Sequence, residues 1–207
     1  MLIVFEGIDR AGKSTLALLF EQYLNDRFRD KDGLLKIDPH LGDFTWTKEP
    51  SFTSEEADML NSQEYNDPFK RERIFFESRL RHQDFLSGKN VICDRYLWSG
   101  LAYSYQYSQE AYWMLRELYS SESLFMPADL CVFIDTPPEV CFDRDPILDL
   151  DRLRSLQSAY KVTQGQVCCP IITIQSIGGE QRSLDNLIEH FEKHVTDNHL
   201  LVEEQTW

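Results

Sequence analysis

The chain has 207 residues, 42% of them hydrophobic, and a formal net charge of −14 at pH 7. That length suits one ordinary domain, nothing between its halves has a linker's composition, and the acidity argues against a general nucleic-acid-binding surface. The start of the chain has no basic region, no small-residue cleavage site and no apolar run approaching the ~20 residues of a membrane span, so the expectation is a cytoplasmic, intracellular protein without a membrane segment.

In chain order, Leu2 to Glu6 reads as an apolar strand. After a glycine turn, Leu16, Leu19, Phe20, Tyr23 and Leu24 mark one face of a helix beginning near Lys13. The stretch from Asp30 to Gly42 is polar and irregular, and Phe44 to Lys48 reads as a short strand stopped by Pro50. A short helix is expected to open at Ser54, and Asp67-Pro68 starts a long one that runs to Leu86 and ends at Ser87-Gly88. Asn90 to Asp94 is a buried strand ending in a carboxylate, followed by a helical region over about Ser99 to Ser120 with a break near Ser108. Leu130 to Asp135 repeats the pattern of an apolar strand ending in an acid, and Pro137-Pro138 separates it from a helix starting near Glu139. Pro170 to Gln175 is the last strand, and Leu184, Leu187, Ile188, Phe191 and Val195 mark a closing amphipathic helix.

Uniformly apolar strands alternating with helices predict an α/β fold of three layers, a parallel sheet of about five strands covered by helices on both faces. Ligands bind beyond the carboxyl ends of such strands, which puts Asp94 and Asp135 on the same edge as the first turn. The five cysteines fit no disulfide framework: Cys93, Cys131 and Cys141 lie in or beside apolar runs, and Cys168-Cys169 leads into a strand.

The first turn, Gly7-Ile8-Asp9-Arg10-Ala11-Gly12-Lys13-Ser14, matches G-x-x-x-x-G-K-[ST] in its required strand-to-helix context. Its backbone N–H groups and the helix N-terminus would cradle phosphates at Gly7, Ala11, Gly12, Ser14 and Thr15, with Lys13 reaching the β- and γ-phosphates and Ser14 coordinating Mg²⁺. This is the P-loop of nucleoside triphosphate binding. No N-K-x-D base-reading motif of a guanine-nucleotide switch occurs. Lys70, Arg71, Arg73, Arg79 and Arg81 cluster on the long helix, either as an anion site or as a solvated face paired with Glu72 and Glu77.

Asp94-Arg95-Tyr96-Leu97-Trp98-Ser99-Gly100-Leu101-Ala102-Tyr103, read with Glu6 to Thr15, resembles the thymidylate kinase family. Thr47-Lys48-Glu49-Pro50 is similar to that family's T-R-E-P, and Asp135-Thr136-Pro137-Pro138-Glu139 to its D-x-P-P-E. The resemblance implies a P-loop NTPase-type fold, a single nucleoside monophosphate kinase domain over 1–207 with a short lid at about 144–151, and transfer of the γ-phosphoryl of ATP to dTMP. It also implies Mg²⁺, a homodimer, and no nucleic-acid partner. In that family's pattern Asp9 contacts the sugar 3′-hydroxyl, Arg95 takes the acceptor phosphate with Lys48 and Ser99 beside it, and Tyr103 packs under the deoxyribose. Arg10 supplies the catalytic charge from within the loop, Lys13 assists it, and Asp94 with Ser14 organises the metal. For the family's F-x-x-x-R base contact, Phe75 and Arg79 are preferred, with His82 continuing their stripe. Phe69 and Arg73 have the same spacing but share a stripe with Phe76 and Leu80 expected to face the core.

Departures from the family's pattern concern acceptor recognition. Lys48 replaces an arginine, Ser104 follows Tyr103 where the family has glutamine, and the helix from Phe75 to Gly88 is short. A kinase of another deoxynucleoside monophosphate or of a deoxynucleoside stays open, as does a nucleotide-binding regulatory protein without turnover. Trp98 is read as helix packing and Trp207 as a tail residue.

Overall fold

The computed structural model describes residues 1–29, 42–62, 67–120 and 124–197. Five strands, β1 (Leu2–Glu6), β2 (Phe44–Lys48), β3 (Asn90–Asp94), β4 (Leu130–Ile134) and β5 (Ile171–Ile174), form one sheet in the order β2-β3-β1-β4-β5. Every pairing is parallel. β1, β3 and β4 are buried along their whole length, which is why they read as unbroken apolar runs rather than alternating ones.

Helices α1 (Lys13–Arg29) and α8 (Glu180–Asp197) cover one face, where Phe5 of β1, Phe20 and Phe191 pack ring to ring at 5.0–6.0 Å. The other face carries α4 (Leu97–Tyr107) and α7 (Leu150–Thr163), with Trp98 and Tyr160 against Phe133 of β4 at 4.7 and 5.5 Å. Strand alternation puts Phe5 on the first face and its neighbour Glu6 on the second. That single step brings a carboxylate into the layer that holds α4 and α7. Truncating a fully buried ring such as Phe20 would cost about 3–5 kcal/mol through lost transfer energy and the cavity left behind.

Local chemistry sets the helix ends. Asp67 Oδ1 accepts from the N–H groups of Phe69 (2.8 Å) and Lys70 (3.1 Å), and Pro68 occupies the first turn of α3 (Pro68–Leu86). Thr53 and Glu56 form a reciprocal capping box on α2 (Ser54–Asn61). Ser108 both ends α4 and caps α5 (Gln109–Tyr119), so the predicted break falls where its hydroxyl takes the Ala111 N–H.

The region after β4 departs from expectation. The expected helix near Glu139 is α6 (Pro138–Arg144), which stops after two turns, and a further helix that was not expected, α7, begins at the Asp149 cap. Asp149 Oδ1 accepts from the Asp151 and Arg152 N–H groups, and Leu153, Leu156, Ala159, Tyr160 and Thr163 form the buried stripe. Among the described residues no helix is long and apolar enough to cross a membrane. Cys93, Cys131 and Cys141 are buried free thiols, and Trp98 is packing as expected, donating from Nε1 to Thr163 Oγ1 at 3.0 Å. Most of the 30–42 stretch and Trp207 lie outside the described residues.

Candidate active site

The C-terminal edge of the sheet aligns Glu6, Lys48 and Asp94, with Phe5 and Lys48 both in register with Asp94 across adjacent strands. Between β1 and α1 the loop turns on two glycines. Gly7 has φ +144°, and a Cβ there would lie 2.6 Å from the Ile134 carbonyl oxygen; Gly12 has φ +100°, and its Cβ would lie 2.6 Å from Ser176 Oγ. The loop is thereby pressed against the ends of β4 and β5, and its concave side takes the N-terminus of α1.

Lys13 is 5% exposed, and its Nζ donates to the Ile8 carbonyl at 2.6 Å. Burial, followed by repulsion from Arg95, pushes its ammonium down to about 7, against the pull of Asp94, Asp9 and Glu6. The Ser14 hydroxyl donates to Asp94 Oδ2, while Asp94 Oδ1 is buried and without a hydrogen-bond partner among the described residues. Lys48 Nζ stands 3.9 Å from Asp94 on a half-exposed stem. An orphaned carboxylate oxygen beside a hydroxyl, next to a phosphate-binding loop, is a donor set that fits a hard divalent cation.

Arg95 is the hub of the acceptor side. Its backbone lies at φ +73°, uncommon for a side-chain-bearing residue, and is pinned by the Arg95 N–H on the Phe5 carbonyl at 2.8 Å. Nη2 reaches Asp9 Oδ1 at 2.5 Å, and Nη1 donates to the Gly7 carbonyl (3.1 Å), Ser99 Oγ (3.2 Å) and Tyr160 OH (3.3 Å). The guanidinium also sits 5.2 Å from the Tyr103 ring centre. Burial works against the Asp9 carboxylate, yet Arg95 and the Tyr103 hydroxyl outweigh it and hold Asp9 below the usual carboxylate range. Ser99 is buried behind the arginine, donating to Glu6 and sharing a 2.7 Å hydrogen bond with Tyr160. Glu6 in turn accepts the Tyr96 and Ser99 N–H groups at 2.8 and 3.1 Å, and burial pushes its carboxyl up despite these bonds. The structure thus brings the loop residues Asp9 and Lys13 together with Asp94, Arg95, Ser99 and Tyr103.

A family model described as thymidylate kinase matches residues 5–147. The chain belongs to the thymidylate kinase family. It is 30% identical to a thymidylate kinase of Mesomycoplasma hyopneumoniae, over 94% of this chain and 97% of the relative. It is also 25% identical to a probable thymidylate kinase of Archaeoglobus fulgidus, over 92% and 96%, and 30% identical to a thymidylate kinase of Caenorhabditis elegans, over 70% and 66%.

Arg10, in the phosphate loop, lies at φ +60° and points outward to Asp145, with Nη2 2.6 Å from its carboxylate. Arg144, at the end of α6, donates to the Arg10 carbonyl at 2.8 Å and to the Ser176 carbonyl, so the end of α6 grips the loop by its backbone. On α3, Phe75 packs edge-on against Phe52 at 5.0 Å, and Arg79 is buried with Nε 3.2 Å from Glu49. The basic residues of α3 do not form one anion site: Arg73 pairs with Glu77, Arg81 with Glu56 and Arg79 with Glu49.

The stripe expected to face the core does not do so. Phe69 is 46% and Leu80 36% exposed, and Arg73 points to solvent, while only Phe76 packs inward on Tyr119 and Phe125. The buried face of α3 consists of Glu72, Ile74, Ser78, Arg79, His82 and Leu86. Four of these six are polar, and partners on neighbouring segments take them: Ser78 donates to the Ser51 carbonyl, and His82 bridges Thr47 and Glu49. Tyr160, Glu6, Arg144, Asp145, Tyr119 and Glu49 are site residues that sequence reasoning did not single out. For Tyr160 the signal was present in the Leu150, Leu153, Leu156, Tyr160 spacing after the Asp149 cap.

Proposed function

We propose that the protein, an ATP-dependent nucleotide kinase, transfers the γ-phosphoryl group of ATP to dTMP, giving ADP and dTDP. The observation that carries this is the meeting of Lys13 of the phosphate loop with the Arg95–Asp9 pair in one electrostatically coupled cluster. A donor triphosphate on the loop and an acceptor phosphate on Arg95 would then face each other. The acceptor phosphate oxygen attacks Pγ, the bond from Pγ to the β-phosphate oxygen breaks, and ADP leaves with its charge balanced by cations, with no covalent enzyme intermediate.

In this reading Lys13 and Arg10 neutralise the migrating group, Arg95 holds the acceptor phosphate with Lys48 beside it, and Asp9 and Tyr103 take the deoxyribose. Phe75 stacks on the base and Arg79 hydrogen-bonds it. Ser99, buried at Arg95, supports the arginine rather than the substrate. Mg²⁺ would be held by Ser14 and Asp94, supplying charge stabilisation to the phosphates. The chain acts as a single cytoplasmic catalytic domain with a lid at about 144–151, and as a homodimer. A groove between α3 and α5, with exposed Phe69 and half-buried Phe76, Met114 and Leu118 rimmed by Lys70, Arg73 and Glu77, supports pairing through that face. An ADP-release assay across nucleosides and monophosphates tests the acceptor: dTMP is expected to give the highest kcat/KM, and preference for unphosphorylated thymidine would overturn the reading.

A further inference from the structure

The segment after β2 carries a carboxylate that the phosphoryl-transfer chemistry does not use. Glu49 has no exposed surface, and both its oxygens face α3. Oε1 meets His82 Nδ1 at 2.9 Å, and Oε2 lies 3.2 Å from Arg79 Nε in an ion pair, the last two atoms being buried without a hydrogen-bond partner among the described residues. His82 Nε2 meets Thr47 Oγ1 at 2.9 Å, and the Glu49 N–H donates to the Asp94 carbonyl at 2.9 Å, so the carboxylate cannot swing away.

The guanidinium is gripped from a second side. Arg79 Nη1 donates to the Tyr119 hydroxyl at 3.2 Å and to the Phe75 carbonyl at 3.4 Å. Room for this comes from Gly100 of α4, where a Cβ would lie 2.7 Å from Tyr119 OH and 3.2 Å from Arg79 Nη1. An arginine fork is planar, so the ion pair at Nε and the hydrogen bonds at Nη1 together set the direction of Nη2; Nε is buried against Glu49 without a hydrogen-bond partner, and no hydrogen bond joins Nη2 to the described residues.

The same pocket suggests a rival, since ligand atoms of Glu49, His82 and Cys93 lie within 4.8 Å of one another. A metal there would need a thiolate and a free carboxylate. Burial holds the Cys93 thiol well above its ordinary range, and the Arg79 guanidinium already occupies the carboxylate, so the cluster is an ion-pair cage instead.

We propose that Glu49, oriented by His82, is a positioning residue for acceptor recognition: with Tyr119 it locks the Arg79 guanidinium so that Nη2 alone is presented to the nucleobase. The inference rests on the reading of Arg79 as the base-contacting side chain. A loose arginine would lose rotamer entropy at each binding event, whereas a caged one is organised before the acceptor arrives.

The test is a cycle of Glu49→Gln, Arg79→Met and the double variant, with kcat and KM measured for dTMP and ATP separately and a thermal melt for each protein. Glu49→Gln is expected to raise the dTMP KM on the order of tenfold, the scale of one charge-assisted hydrogen bond, with kcat and the ATP KM within about threefold of the parent. Arg79→Met should do the same, and the double variant should be no worse than Arg79→Met alone. If Arg79→Met leaves the dTMP KM unchanged, the base-contact reading itself is wrong. If Arg79→Met matters but Glu49→Gln worsens it by a further tenfold, or moves both KM values and kcat together, Glu49 does not act through Arg79 and the inference fails. Should either variant not fold, Tyr119→Phe removes only the hydroxyl's hold on Nη1. It is expected to raise the dTMP KM about threefold without touching ATP, and an unchanged dTMP KM overturns the proposal.

Discussion

If Lys13 binds the triphosphate, it should give the site a proton-linked nucleotide affinity. Its ammonium is pushed down to about 7 by burial and by Arg95, so it is expected to titrate near neutral pH in the free protein. A bound triphosphate places several negative charges at Nζ and restores the ammonium. Above pH 7, ATP binding must therefore draw a proton from solution. The fraction already protonated falls to about one tenth at pH 8 and about one hundredth at pH 9, so the ATP association constant should drop by close to tenfold per pH unit, about 1.4 kcal/mol. The terminal phosphate is already ionised in this range and adds little to the slope. Titration calorimetry at pH 8 in two buffers of different ionisation enthalpy should return about 0.9 proton taken up per nucleotide. Lys13→Arg, which stays charged, should return close to none. Equal enthalpies in both buffers, together with an affinity flat from pH 7.5 to 9, would refute the argument. The same displacement acts on folding. Because the folded-state value lies below the ordinary 10.5, the unfolded chain binds more protons between the two, and the nucleotide-free protein should gain stability from this group as pH rises from about 7 to about 10.5.

Arg10→Ala should lower kcat by roughly 10³ if Arg10 carries transition-state charge, and a loss below about tenfold in steady-state assays would remove it from that role. Arg95→Lys keeps the charge but cannot serve Asp9, Gly7, Ser99 and Tyr160 at once while gripping a phosphate, so the dTMP KM should rise by on the order of tenfold or more; a change under about twofold argues against acceptor-phosphate binding. Gly12→Ala meets both a left-handed backbone and a 2.6 Å clash with Ser176 Oγ, and scanning fluorimetry should show a melting point lower by about 5 °C with ATP protection lost; full protection at the parent's melting point would contradict the packing of the loop.

The legible parts of this molecule are those whose information is local. β1, β2 and β3 fall on their expected bounds because short strand-forming runs are punctuated by Gly7, Pro50 and Gly88, and the Asp67-Pro68 pair marks the start of α3 within one turn. Lys13, Ser14, Asp94 and Arg95 were readable because each sits in a contiguous motif at a strand's end. What could not be read is pairing across the fold. The Tyr160 hydroxyl meets Arg95 65 residues away, and Arg144 reaches the Arg10 carbonyl 134 residues away. α7 was not assigned because the reading after the expected helix near Glu139 stopped at the stretch 144–151, although Asp149 caps a new helix there. On α3, hydropathy points to the wrong face. Glu72, Ser78, Arg79 and His82 are inside because distant partners satisfy them, and no periodicity of apolar residues encodes that.

The cations at this edge of the sheet fall into two kinds, and the division follows from solvent exposure. Arg10 pairs with Asp145 at side-chain exposures of 60% and 19%, and Lys48 stands by Asp94 at 52% and 1%. A pair as exposed as Arg10–Asp145 contributes about 0.2–1 kcal/mol, and Lys48 stands 3.9 Å from its carboxylate, whereas hydrogen bonds from a cation to phosphate contribute about 1.5–3 kcal/mol, so a bound nucleotide would take these cations from their carboxylates. In a chain of net charge −14, a cation that rests on a carboxylate until phosphate displaces it is also guarded against adventitious anions. Arg79 and Glu49, at 3% and 0%, belong to the other kind. Separating them would strand a buried charge at a cost of about 3–5 kcal/mol, more than one hydrogen bond to a base returns. The exchangeable pairs therefore suit the chemistry, in which charge must move with the phosphoryl group. If Arg79 reads the base, the fixed pair suits recognition, in which a donor must hold still, and its place between α3 and the segment after β2, rather than on the loop, would let acceptor choice change without disturbing phosphoryl transfer.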